Sequence, residues 1–159
     1  MNGDFERIDQ EGDLLVPANW HYLRQARVDS EGAFEGDNCV VFANRQPGRG
    51  SQALQGFAID GREIREIDLS CMVRASGVAQ GRSRDERAGV IVTYYDERRA
   101  MVGSVELGPF AGTFDWRNER ERLEVPARAR EAIIRIGLFG GRGEIAFDAI
   151  ELQGIADSE

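Results

Sequence analysis

Ile67-Asp68-Leu69-Ser70-Cys71-Met72-Val73-Arg74-Ala75 alternates apolar with mostly polar residues for nine positions without a break. A period of two places Ile67, Leu69, Cys71, Val73 and Ala75 on one side of an extended chain, and Asp68, Ser70, Met72 and Arg74 on the other. The stretch therefore reads as a half-buried β-strand, which needs partners to cover its apolar side. Val90-Ile91-Val92-Thr93-Tyr94-Tyr95 supplies a second strand. The alternation there points Val90, Val92 and Tyr94 inward and Ile91 and Tyr95 outward. Asp96-Glu97-Arg98-Arg99 then ends the run as a hairpin turn.

Outward from these two strands, short β-branched or aromatic runs recur between Gly, Pro, Asn and Asp, the spacing of an all-β sandwich. Further strands are expected near residues 4–8, 21–29, 38–43, 52–59, 101–107, 115–125, 132–139 and 144–153, and the opening strand extends over 64–75. That makes about ten. Residues 118–124 and 127–132 are rich in Glu, Arg and Ala, which favour helix by propensity. Neither carries an apolar stripe at helical spacing and Pro126 separates them, so strand and turn are expected. The chain reads as one antiparallel two-sheet domain over residues 1–154, with 155–159 as a tail.

The 159 residues and 42% hydrophobic content suffice for one core. A net charge of -8 makes nucleic acid and anionic membranes poor partners, and no stretch approaches the length of apolar chain that spans a bilayer. Every basic residue is Arg, which removes lysine chemistry and leaves cations suited to planar, bidentate contacts. Cys39 and Cys71 lie too far apart for a CxxC motif and read as buried thiols; a disulfide between them is the alternative in an extracellular protein. Nucleophilic catalysis finds little material: His21 is the one histidine and there is no GxSxG elbow. The glycine-rich run 137–143 lacks the Gly-Lys-Ser/Thr ending of a phosphate loop and precedes a strand pattern, so it reads as a turn. No pair of carboxylates is framed by a hydrolase signature, and the chain is expected not to be an enzyme.

Asn2-Gly3-Asp4-Phe5-Glu6, then Pro17-Ala18-Asn19-Trp20, then a Gly-bearing loop before Asn38-Cys39-Val40-Val41-Phe42 resemble the opening of carbohydrate-binding modules attached to xylanases and cellulases. Later blocks agree in order and spacing, namely Asp68-Leu69-Ser70 to Val73-Arg74, Tyr94-Tyr95-Asp96, Thr113 to Trp116, Pro126 to Ala129, and Gly143 to Phe147-Asp148-Ala149-Ile150. The resemblance implies a galactose-binding-like jelly roll and a polysaccharide or glycan as partner, in an extracellular or cell-surface setting. It also implies a structural calcium held by Glu6 and Asp148 with Asp37 as a third ligand, a set of hard oxygens that suits Ca²⁺. Trp20 and Trp116 fall at family positions that pack in the core. Arg74, Tyr95 and Arg135 are then the expected ligand platform, facing outward on one sheet. The competing readings are a protein-interaction sandwich without a sugar site, and a jelly-roll hydrolase or lyase. The oligomeric state is open.

Overall fold

A computed structural model describes residues 1–156. These residues contain twelve strands and no helix, so none is long and apolar enough to cross a membrane. A hairpin of β1 (Ile8–Glu11) and β2 (Leu14–Pro17) precedes two antiparallel five-stranded sheets. In sheet I, β10 (Gly112–Glu124), β7 (Ile64–Ala79), β12 (Arg142–Ala156), β5 (Cys39–Asn44) and β4 (Ala26–Asp29) follow one another. Sheet II runs β3 (His21–Arg24), β6 (Gln52–Ala58), β11 (Glu131–Gly137), β8 (Ala88–Tyr95) and β9 (Met101–Phe110). The architecture is the expected jelly-roll sandwich.

The alternation in β7 is realised: Ile67, Leu69, Cys71, Val73 and Ala75 are all buried against sheet II. They meet Val90, Val92, Tyr94, Ile134 and Ile136 from the facing sheet, while Phe42, Phe110 and Phe147 pack edge-on and tilted around the centre. Burial of this continuous apolar layer is the main driving force for closing the sandwich. Residues 118–124 lie in β10, where pairing with β7 overrides their helical propensity.

Three boundaries differ from the sequence reading. The segment 21–29 is two strands in different sheets, because Gln25 takes a left-handed conformation (φ 52°) that turns the chain from sheet II to sheet I. Residues 4–8 hold strand only at Ile8; Phe5 is also left-handed and its ring is buried beside Trp20, with centroids 5.6 Å apart. At the other end, Ile155 and Ala156 still pair with Glu66 and Ile64, so β12 runs past the expected boundary; 157–159 lie outside the described residues.

The expected blocks at the N-terminus fasten the two ends of the domain together. Asn2 is buried; its amide donates to the Arg7 and Ala18 carbonyls and accepts the Arg7 N–H, and the Trp20 indole donates to the Asn2 carbonyl. Gly3 meets a bulge in β12, where the Ile150 N–H donates to the Gly3 carbonyl at 2.9 Å. A Cβ at Gly3 would collide with the Ile150 carbonyl oxygen, so no larger residue fits. Cys39 and Cys71 are both free and buried, but Cys71 faces the central core and Cys39 packs in a small cluster of its own, so no disulfide joins them.

Candidate functional site

The outer face of sheet I carries a second, smaller apolar cluster of Cys39, Val41 and Ala146, with Ala33 and Trp116 packed on it. Arg27, Val41, Ala146 and Arg74 form one cross-strand row on this face, through the pairs Arg27↔Val41, Val41↔Ala146 and Ala146↔Arg74. On β10 the register shifts between Phe114, opposite Ala75, and Arg117, opposite Val73. Two residues, Asp115 and Trp116, therefore stand against Arg74 alone. This bulge turns Trp116 outward. The indole is half-buried, with the Arg74 guanidinium 4.9 Å from its centroid and the exposed Phe34 ring at 6.1 Å. Trp116 is thus not the inter-sheet core residue that the sequence pattern suggests, whereas Trp20 is. The arginine is itself fixed by the Gly32 carbonyl, which accepts from Nη1 at 3.2 Å, and by Asp29 at 4.0 Å.

Two depressions lie beside this cluster and share Ser76 and Glu144. The smaller, about 240 Å³, is lined by Arg74, Phe114, Asp115 and Ala146 among others; the larger, about 510 Å³, by Gln25, Ala43, Arg45 and Arg49. Together they make a groove across the strands of sheet I. Its floor is open because Ala43, Ser76 and Ala146 are small. Its volume falls in the range of small-ligand sites, and its lining offers the Phe114 ring and several guanidinium groups, with Trp116 just beyond it on the far side of Arg74.

The expected platform of Arg74, Tyr95 and Arg135 is divided. Arg74 lies on the outer face of sheet I, while Tyr95 and Arg135 lie on β8 and β11 of sheet II. There Arg135 stands between Leu54 and Ile91 in register, with its guanidinium 5.7 Å from the Phe139 ring, and Tyr95 is two outward positions away along β8. Period-two reading fixes the side of a strand, but it cannot say which sheet a strand joins. Three outward residues on strands of the same pattern can therefore belong to two different faces. Ser76 continues the outward period of β7, whereas the groove residues Arg45 and Arg49 lie in the loop after β5, where no periodicity marks them.

Glu6, Asp37 and Asp148 do come to one region, on either side of the loop that covers the small cluster. Asp148 is fully buried; its Oδ2 accepts from the Phe34 and Glu35 amides at 3.0 and 3.2 Å, and Oδ1 from the Ala149 amide at 2.7 Å. Glu6 Oε1 accepts from the Asp37 and Asn38 amides, both at 3.0 Å, with Oε2 also near Asp37 N at 3.1 Å. Asp37 joins through its N–H. Both carboxylates thus face hydrogen-bond donors whose positive ends point where a cation would sit, and among the described residues no group of three or more His, Cys, Asp or Glu side chains could hold a metal. This donor set does not fit a calcium cage. It fits a clasp in which two carboxylates hold four loop amides. Burial raises the Asp148 carboxyl above its ordinary value, against the opposing pull of the Glu35, Ala149 and Phe34 amides.

No protein-family model and no curated protein matches the sequence. Solved structures do match. A family 16 carbohydrate-binding module aligns over 96% of this chain and 97% of its own, with a TM-score of 0.63 at 15% identity. The chain has the fold of a carbohydrate-binding module. A second similar structure is a Clostridium thermocellum endo-1,4-β-D-xylanase 10B fragment, a CBM22-1 and GH10 pair complexed with xylohexaose; it covers 86% of this chain (TM-score 0.62, 15% identity). The enzymatically active domain of bacteriophage CBA120 tailspike protein 4 aligns over 87% (TM-score 0.66, 15% identity). The chain spans about a fifth of that tailspike chain and a quarter of the xylanase fragment, so the same module fold occurs there as one part of a larger protein.

Proposed function

We propose that this chain is a non-catalytic glycan-binding module whose ligand lies in the groove on the outer face of sheet I. The observation that carries the reading is the conjunction of Trp116, displaced outward by the β10 bulge, with Arg74 and a groove open across several strands. A pyranose presents an apolar face that packs on an indole, and hydroxyls that accept from guanidinium N–H groups. The groove's length across the sheet suits a polysaccharide chain. Its carboxylates Glu144 and Asp115 lack a partner poised for acid–base work: Glu144 is paired with Arg27 at 3.6 Å, and Asp115 Oδ1 accepts from the Trp116 amide. The similar module folds, which occur as parts of larger chains, support the same role, and we place the module in an extracellular or cell-surface protein.

Trp116→Ala tests it directly. The half-buried ring predicts a loss of about 1–2 kcal/mol of stability, less than the ~3–5 kcal/mol of a central aromatic, with loss of binding to every glycan retained on an array. Tyr95→Ala and Arg135→Ala serve as the opposing arm and leave binding unchanged. If these two abolish binding while Trp116→Ala retains it, the site belongs to sheet II.

A further inference from the structure

The wider half of the groove differs in charge from the rest of the molecule. The chain as a whole carries a net charge of -8, which repels anions, yet the residues lining this half include two arginines, Arg45 and Arg49, and one carboxylate, Glu144. That carboxylate is engaged by Arg27, which stands on the same face. The Arg49 guanidinium is oriented: with the Gln25 amide assigned oxygen toward it, that oxygen accepts from Nε at 3.3 Å and Nη2 at 3.0 Å. Its remaining N–H groups are left for a ligand. Arg45 is exposed and has no ion-pair or side-chain hydrogen-bond partner among the described residues. Gln46, Asn44 and Ser76 add neutral polar groups around the same space, although the Asn44 amide is already bonded to the Gln46 and Gly141 carbonyls.

From this we infer that the glycan is acidic, and that a uronic-acid carboxylate occupies the wide half of the groove on Arg45 and Arg49 while a neighbouring sugar packs at Trp116. The inference rests on the glycan-binding reading and specifies its ligand class. A planar carboxylate matches the fork of a guanidinium, and two guanidinium groups beside an otherwise acidic surface give a local attraction that a neutral sugar does not need. The Arg27 guanidinium offsets Glu144, the carboxylate that would otherwise oppose an anion there. The small floor residues Ala43 and Ser76 leave room for the acid-bearing ring to lie close to the sheet.

The test is calorimetric titration with oligosaccharides containing glucuronic or galacturonic acid, each beside its carboxyl-reduced counterpart. The uronates bind about tenfold or more tightly than the reduced partners, as expected for charge-assisted hydrogen bonds. Added salt erodes that difference. Arg45→Gln with Arg49→Gln removes the difference within each pair, whereas Trp116→Ala weakens both members and keeps their ratio. Equal affinity within each pair, or an unchanged preference in the double arginine variant, overturns the acidic ligand while leaving the glycan reading intact. If no member of any pair binds, both fall.

Discussion

Tyr94 is a core residue with an unsatisfied polar tip. Its ring is fully buried between the sheets, and its hydroxyl finds no hydrogen-bond partner among the described residues. Burial alone pushes the phenol up to about 12, so it stays neutral at any ordinary pH. Tyr94→Phe keeps the ring and removes the orphan group, and is expected to raise stability by about 1 kcal/mol in denaturant melts. A fall in stability would mean that a buried water bonds the hydroxyl. The inward direction of Tyr94 and the outward direction of Tyr95 were legible in the sequence, because Val90, Val92 and Thr93 set the period. The orphan hydroxyl was not, since it depends on what the facing sheet brings near it. Trp116 makes the complementary point: its position in the motif was readable, but a one-residue bulge decides which way it faces, and bulges leave no mark in the hydrophobic period.

The loop 30–38 links sequence to site at the scale of an element. Residues that resemble a metal-binding set instead clamp this loop through its amides, and the clamp sets Ala33 and Phe34 beside Trp116. Gly36 permits the turn: it is left-handed (φ 62°), and a Cβ there would strike the Glu6 carboxylate. Asp148 gives this element a pH signature. Its folded-state value is raised, so the folded protein favours the protonated form, and the contribution of this group is most favourable at low pH and declines as pH rises through the folded value. The stability of the wild type minus that of Asp148→Asn is therefore expected to be larger near pH 4 than at pH 7. Carboxylates lowered by their own partners, such as Asp96 beneath the Ala100 and Arg98 amides, are common to both proteins and cancel. A difference that grows with pH would show that the amides outweigh burial. Glu6 and Asp148 both reach the 30–38 loop, but each accepts from its own pair of amides, and a backbone turn carries no side-chain signal, so this chemistry could be read only from the fold.

For the whole molecule, the fastening of the N-terminus to the last strand is done by hydrogen bonds and apolar packing, through Asn2, Gly3, Phe5 and Trp20. Thermal melts in excess calcium and in chelator are therefore expected to coincide; a melting temperature that climbs with calcium concentration would mean that the loop amides give way to an ion. The same arrangement governs how the protein is made. β12 is the central strand of sheet I, yet it follows all its neighbours in the chain, pairing with β7 and β5 from residues 142–156. During vectorial synthesis, β5 and β7 emerge with a strand-wide gap between them and two open edges. Nothing local can fill that gap, because the missing partner lies more than sixty residues downstream of β7. Sheet I is thus completed only when β12 joins its two halves, β4–β5 and β7–β10, and before that each half presents an unpaired, apolar edge that invites wrong pairing with other nascent chains.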